Sequence, residues 1–157
     1  MSIYDKTIYM CNNDSVETYD LRTIIQVNGC MHPVVQMLCI NALLGLPLAM
    51  CDNNGTMIFG QEEFENKFYL GHELGHIKLG HLNGVKKRGV VKNLSLEISA
   101  DRYAIDHGFV TKEQAAKELK EIKTTLVGKG FWKFLRYLFF NKGIKELSAR
   151  INALEAL

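Results

Sequence analysis

The sequence predicts an α+β fold that is mostly helical, with a small sheet or hairpin before a central helix. Two observations support this prediction. From residue 62 onward apolar residues recur at helical spacing, whereas the first 60 residues hold short β-prone runs and a strong turn signal. At 157 residues, 47% of them hydrophobic, the chain is long enough to bury its own core. We therefore expect a single domain over residues 1–157.

The amino-terminal part alternates short apolar runs with turn signals. Residues 3–10 and 21–28 can each form a strand or a helical turn. Pro33 is suited to the first position of a helix that continues to about Leu44. Apolar runs on either side of the turn at residues 52–55 predict a hairpin that leads directly into the central helix.

Residues 23–51 contain no formally charged side chain, which raises the alternative of a membrane-spanning helix. Polar side chains, together with Gly45 and Pro47, interrupt the apolar runs well before the roughly 20 residues needed to cross a bilayer. We therefore interpret the helix in this stretch as a buried core helix.

The motif HELGH at residues 72–76 is central to the chain. Residues 62–82 contain no proline and suit one helix, in which residues four apart share a face. His72 and His76 can therefore bind one metal ion at about 2.0–2.1 Å, and Glu73 can accept a proton from an attacking water molecule. Glycine costs roughly 1 kcal/mol against alanine inside a helix, so close packing is a plausible reason for three of them here, Gly71, Gly75 and Gly80.

A second motif, E-x-x-A-D at residues 97–101, follows about twenty residues later in another helical pattern. Glu97 supplies a third ligand, and Asp101 can accept a hydrogen bond from the far ring nitrogen of a ligating histidine. Three protein ligands leave one position open, which distinguishes a catalytic zinc site from a closed structural one. The alternative, that these are ordinary helix residues and a solvated face, is disfavoured because both motifs occur together.

The remaining sequence predicts further helices. Ser95 is a candidate cap for the helix that carries Glu97, and Gly108 is placed to end it. Thr111 and Gln114 are spaced as a capping box for a helix over about residues 112–125.

The carboxyl-terminal part contains an amphipathic stretch and a last helix. Residues 131–140 can pack on the core, lie on a membrane surface or bind a partner, and we favour packing on the core. A helix from about Lys142 to Leu157 is expected to return four apolar side chains to the core, those of Ile144, Leu147, Ile151 and Leu154.

The motif at residues 72–76, with its flanks 68–70 and 77–81, resembles the ImmA/IrrE type of zinc metallopeptidase. The E-x-x-A-D spacing is also that of the gluzincins at large, and residues 148–154 are similar to the S-x-R-I-x-x-L tail of the HtpX-like and CAAX prenyl protease group. The resemblance covers residues 56–108 and, more weakly, that tail.

The resemblance implies a minimal zincin fold with His72, His76 and Glu97 on zinc and Glu73 as the base. In zincins the strand before the zinc helix forms the sheet edge above the metal, where an extended peptide can bind by strand addition. The expected activity is that of a zinc-dependent endopeptidase acting on a protein substrate, such as a regulatory protein or transcriptional repressor. The alternatives are a zinc-binding regulatory or protein-interaction module without turnover, which the intact Glu73 argues against, and an HtpX-like membrane-associated protease.

Three other side chains lie near these motifs in sequence. His81 follows His76 by five residues, whereas the third histidine ligand of metzincins follows by six, so we interpret His81 as a helix-end residue near the site. Tyr103 and His107 are candidates for stabilising a developing oxyanion.

Charge and cysteine content favour an ordinary cytoplasmic protein. Net charge is +2, and the basic excess in residues 112–155 is better explained by a solvated helix face than by a nucleic-acid or membrane surface. Nucleic-acid binding is therefore not expected, and membrane contact is not favoured. The four cysteines form no C-x-x-C pair, and the first residues lack the pattern of a signal peptide, which points to a reducing cytoplasm.

Overall fold

The computed structural model describes residues 6–12, 15–29, 33–52, 54–82, 93–128 and 131–157, without the side chains of residues 33 and 131–139. Within these residues the chain forms four strands and seven helices, which confirms the α+β class and the sheet placed before the central helix. Their order is β1 (Thr7–Asn12), β2 (Ser15–Asp20), α1 (Leu21–Asn28), α2 (Pro33–Leu44), β3 (Ala49–Cys51), β4 (Met57–Gly60), α3 (Gln61–Glu65), α4 (Lys67–Lys78), α5 (Leu94–Asp106), α6 (Lys112–Val127) and α7 (Phe131–Glu155).

The strands form one antiparallel sheet in the order β2-β1-β4-β3. The predicted hairpin is confirmed, since β3 and β4 pair from Ala49 opposite Phe59 to Cys51 opposite Met57. The expectation that the strand before the central helix forms the sheet edge is wrong, because β4 lies between β1 and β3. Buried side chains such as Phe59 suit β4 to this inner position, and β3 forms the edge instead.

Residues 21–28, which the sequence left undecided between strand and helix, form a helix, and a strand that was not predicted precedes it at residues 15–20. Strand β2 is almost entirely exposed and shows no apolar alternation, so its sequence does not identify it as a strand. It is defined by its pairing with β1. Residues 21–28 are helical because the Asp20 side chain accepts a hydrogen bond from the Thr23 backbone N–H at 2.6 Å and so caps α1. Of residues 3–10, the part from Thr7 is a strand, and residues 3–5 lie outside the described residues.

One cluster of buried side chains lies between the sheet and helices α1 and α2. Helix α2 begins at Pro33 and ends at Leu44 as predicted, and it buries Val35 and Leu38 in this cluster. Within the described residues, no helix is both long enough and apolar enough to cross a bilayer. The uncharged stretch is instead divided among α1, α2 and β3.

A second cluster joins α4, α5, α6 and α7. The capping box at Thr111 and Gln114 is present, with both reciprocal hydrogen bonds, and Gly128 ends α6 with a φ of 69°. The four apolar side chains assigned to the last helix are all buried in this cluster, as predicted. These contacts position α5 and α7 beside the central helix.

Three helix boundaries differ from the sequence prediction. Residues 62–82 do not form one helix, because Asn66 takes an extended conformation and its side chain accepts a hydrogen bond from the Phe68 N–H at 2.9 Å, which starts α4 afresh. Asn93 rather than Ser95 caps α5, since its side chain accepts from the Ser95 N–H at 3.1 Å.

The third difference concerns α7. It runs without interruption from Phe131 to Glu155, so the two predicted segments at residues 131–140 and 142–157 are one helix. What the side chains of residues 131–139 contact lies outside the described residues.

Candidate metal centre

The polar and charged side chains that are buried in the described part of the chain all lie at the predicted site. They are His72, Glu73, His76 and Asp101, each at most 7% exposed. Burying such groups costs free energy unless they are paired with hydrogen-bond partners or a metal. Their concentration at one point on α4 and α5 therefore indicates a functional constraint rather than an ordinary core.

Two glycines allow α5 to lie directly against α4. A Cβ atom added at Gly71 would lie 2.8 Å from the Cβ of Ala104 and from the Cγ of Phe109, and one at Gly75 would lie 3.1 Å from the Cα of Ala100. Atoms this close leave no room for a side chain. The predicted close packing is therefore observed at Gly71 and Gly75, and it holds the Glu97 helix beside the two histidines. Gly80 differs from the prediction, because it lies beyond the end of α4 at a φ of 68°, a conformation that favours glycine.

We expect Gly71→Ala to lower the free energy of unfolding by about 1–3 kcal/mol, because overpacking outweighs the roughly 1 kcal/mol that alanine gains in helix propensity. The matched control is Gly143→Ala in α7, where the nearest atom to the new Cβ, a Leu126 methyl, lies at an ordinary 3.4 Å. That variant should be unchanged or slightly more stable. Chemical denaturation of both measures this, and equal effects at the two glycines would contradict the packing argument.

Potential ligand atoms of three residues converge between α4 and α5. The His72 Nε2 and His76 Nε2 atoms are 3.1 Å apart, and the two carboxylate oxygens of Glu97 lie 3.4 Å from the former and 3.6 Å from the latter. A tetrahedral ion bound at about 2.0–2.1 Å holds its ligand atoms about 3.3 Å from one another. The observed distances are close to this value, so His72, His76 and Glu97, called the ligand triad below, could hold a metal ion.

The charge around the ligand triad also matches a divalent cation. Three carboxylates, those of Glu73, Glu97 and Asp101, face one guanidinium, that of Arg150. When both histidines are neutral, as binding a metal ion requires, these carboxylates and the guanidinium sum to two negative charges in a largely buried space. A bound dication would neutralise them.

Asp101 orients the first histidine as predicted. Its Oδ1 atom is 2.9 Å from the His72 Nδ1 atom, and the carboxylate is fully buried. Because the carboxylate accepts a hydrogen bond from Nδ1–H, the lone pair of Nε2 faces the ligand triad.

The two histidines differ in their titration. Burial alone would lower the pKa of His72, but hydrogen bonds to the carboxylates of Asp101 and Glu97 outweigh burial and raise it to about 9. Burial and the neighbouring His72 ring lower the pKa of His76 to about 4. Without metal at neutral pH, His72 is therefore protonated and His76 is neutral.

Metal binding should displace the proton from His72. We expect about one proton to be released per metal ion bound at pH 7, and this release to decline as the pH rises through about 9, where His72 already lacks the proton. Calorimetric titration with Zn²⁺ in buffers of different ionisation enthalpy measures the proton count. Binding without proton release at pH 7 would show that His72 is already neutral or does not bind the ion.

Arg150 also belongs to the site. From the sequence, it was considered only as part of residues 148–154, which are similar to the tail of the HtpX-like and CAAX prenyl protease group. Its Nε and Nη2 atoms donate to the two oxygens of Asp101 at 2.8 and 2.6 Å, and its Nη1 atom donates to Glu97 at 3.2 Å. Helix α7 thus supplies a bidentate cation that fixes both carboxylates of α5. The hydrophobic period of α7 identified its core face, but nothing local to Arg150 indicated this pairing.

Cys51 was also missed as part of the site. Burial raises the pKa of its thiol, and the adjacent Glu73 carboxylate raises it further, so the thiol is protonated at neutral pH. Cys51 lies outside the ligand triad and faces Glu73 at the end of edge strand β3. From the sequence, Cys51 was interpreted as a small core residue. Its proximity to α4 depends on the order of the strands in the sheet, which the sequence did not predict.

Glu73 lies beside the ligand triad and is not a member of it. Its side chain is buried beside His72 and Cys51, and burial raises the pKa of the carboxyl above its ordinary value. A raised pKa makes the ionised carboxylate a better proton acceptor.

The remaining predicted residues have different surroundings. His81 lies just beyond α4 with its Nδ1 atom 3.0 Å from the His76 Nδ1 atom, which agrees with a helix-end residue near the site. His107 is exposed, stacks on the Tyr103 ring at 3.8 Å, and hydrogen-bonds the Tyr103 carbonyl oxygen. These contacts give no support to either as an oxyanion donor.

A cavity of about 660 Å³ lies elsewhere, between α6 and the carboxyl end of α7. Its walls are mostly exposed side chains such as Lys117 and Glu121, and it includes no member of the ligand triad. It therefore carries no argument about the chemistry of the site.

No family model, curated protein or solved structure matches this chain. The resemblance to metallopeptidases therefore remains a prediction from the motifs.

Proposed function

We propose that this protein is a zinc-dependent endopeptidase that hydrolyses peptide bonds of a protein substrate. The observation that carries the proposal is the buried ligand triad with Glu73 beside it, outside the ligand set. A structural metal site needs ligands but has no use for a neighbouring base. The same arrangement disfavours a regulatory module without turnover.

Zinc is the ion that this donor set suits best. Two imidazole nitrogens and one carboxylate, at nearly tetrahedral spacing, form a ligand set used by catalytic zinc sites. Zinc bound there would act as a Lewis acid that polarises the scissile carbonyl group and makes a water molecule more acidic.

The residues of the chain have separate roles in this proposal. Glu73 accepts a proton from the attacking water and later donates it to the leaving amine. Asp101 and Arg150 keep His72 and Glu97 in place, so that the ligands need little reorganisation when substrate binds.

The substrate is proposed to bind in extended form along edge strand β3. In the described part of the chain β3 pairs only with β4, and Cys51 at its end faces Glu73. A peptide added to the free side of β3 would therefore run past the base, held by main-chain hydrogen bonds. This mode suits a protein segment, and a regulatory protein such as a transcriptional repressor is the target class that the ImmA/IrrE resemblance suggests.

Detection of new protein amino termini tests the proposal. Proteins extracted from cells that lack this protein are incubated with the zinc-loaded chain, and newly formed amino termini are labelled and identified by mass spectrometry. We expect internal cleavages that disappear when the metal is removed and return when zinc is added. Absence of any zinc-dependent cleavage, with the metal bound, would favour the regulatory module instead.

A further inference from the structure

The second histidine of the ligand triad has a hydrogen-bonded support that differs from that of the first. The His76 Nε2 atom faces His72 Nε2 at 3.1 Å and Glu97 at 3.6 Å, so this nitrogen belongs to the ligand triad. On the opposite side of the ring, His76 Nδ1 lies 3.0 Å from His81 Nδ1. His76 therefore has an imidazole partner where His72 has the carboxylate of Asp101.

The end of α4 brings His81 into this position. The His81 N–H donates to the His76 carbonyl oxygen at 3.0 Å, and the Gly80 N–H donates to the Ile77 carbonyl oxygen at 3.1 Å, with Gly80 at a φ of 68°. These two bonds form a Schellman motif, in which the residue after the glycine folds back onto the residue five before it. An apolar contact usually joins those two positions, whereas here two imidazole edges meet, with ring centroids 5.0 Å apart and planes at 74°.

The direction of each hydrogen bond follows from the requirement at the ligand triad. A neutral His76 that offers the Nε2 lone pair to a metal ion must carry its proton on Nδ1. That N–H donates to His81 Nδ1, so the proton of a neutral His81 lies on its Nε2 atom.

The chain of hydrogen bonds then ends on helix α5. The His81 Nε2 atom is 3.2 Å from the Ser99 hydroxyl oxygen, which accepts a hydrogen bond from Nε2–H. The Ser99 hydroxyl in turn donates to the Leu96 carbonyl oxygen at 3.0 Å. Each member donates in the same direction, and the last two residues lie on either side of Glu97 in sequence.

We propose that His81 and Ser99 are positioning residues that hold His76 in its metal-binding tautomer and tie it to the helix that supplies Glu97. The proposal depends on the metal site of the proposed function and not on peptide cleavage. Neither residue supplies a ligand atom. They act on the orientation of His76 and therefore on the affinity for the ion.

The test compares two replacements of His81 in the full-length chain. His81→Phe keeps a ring of similar size but removes the acceptor, whereas His81→Asn retains an amide oxygen near the position of Nδ1. Zn²⁺ affinity is measured by competition with a chromophoric chelator. We expect a loss of about 10–100-fold for His81→Phe, a clearly smaller loss for His81→Asn, and an intermediate loss for Ser99→Ala. Equal affinities for wild type and His81→Phe would overturn the proposal.

The tautomer itself gives a second readout that needs no variant. In the zinc-loaded wild-type chain, nitrogen NMR of labelled histidines should show His81 protonated at Nε2 and unprotonated at Nδ1. Protonation of His81 at Nδ1 would overturn the proposal, even if His81→Phe failed to fold. A chain that binds zinc with the expected tautomer but cleaves nothing would overturn the proposed function alone. A wild-type chain without zinc affinity would overturn both.

Discussion

Replacing Glu73 with glutamine is expected to lower the cleavage rate by about two to four orders of magnitude while the protein keeps its fold and its metal. Glutamine preserves the volume of the buried side chain, and Glu73 lies outside the ligand triad, so zinc content should stay at about one ion per chain. The loss arises because the amide cannot accept the proton of the attacking water. Single-turnover cleavage of an identified substrate, together with metal analysis, measures both quantities.

Two further measurements make this test specific. Glu97→Ala is the matched control, because it removes a ligand and should lose zinc and activity together, whereas Glu73→Gln should lose activity alone. An uncleaved substrate should also accumulate on Glu73→Gln in cells, where affinity purification can identify it. Cleavage by this variant at the wild-type rate would show that Glu73 is not the base.

The residues of the candidate metal site could be predicted from sequence because local geometry determines most of their arrangement. His72 and His76 share a helix face at any i, i+4 spacing, and Glu97 and Asp101 share one on α5. The close approach of the two helices was indicated by Gly71 and Gly75. Both lie inside α4, although glycine is unfavourable in a helix, and close packing accounts for them.

The parts that could not be predicted depend on contacts between distant segments. Strand β2 is exposed and polar, so its sequence did not identify it as a strand. The inner position of β4 depends on its pairing with β1, a distant segment of the chain, and could not be inferred either. The same holds for Cys51, whose place beside Glu73 follows from β3 being the edge. Arg150 lies 49 residues from Asp101 in sequence, and an arginine in an amphipathic helix is usually interpreted as exposed.

Among the ion pairs of the described residues, we expect those of Arg150 to contribute most to stability, because they involve a buried carboxylate. Asp101 is fully buried, and burial alone would raise the pKa of its carboxyl, but the Arg150 guanidinium and the His72 ring outweigh burial and hold the pKa below its ordinary value. Such a lowered pKa stabilises the fold above about pH 4, and this contribution is lost as the pH falls through the folded-state pKa. Removing the guanidinium would leave a buried carboxylate without its main partner.

We expect Arg150→Met to lower the free energy of unfolding of the metal-free protein by about 3–5 kcal/mol at pH 7, the usual cost of removing one partner of a buried ion pair. The matched control is Lys120→Met, which removes an ion pair with Glu155 of similar length, 2.7 Å against 2.6 Å, whose two side chains are about half exposed. Exposed pairs contribute about 0–1 kcal/mol, so this variant should differ little from wild type. Denaturant unfolding at pH 7 and at pH 3 measures the effect. The difference in unfolding free energy between wild type and Arg150→Met should be smaller at pH 3, because the buried Asp101 of the variant is then protonated and no longer carries an unpaired charge. Equal destabilisation by the two methionine variants would show that Arg150 does not stabilise the site through its buried carboxylates.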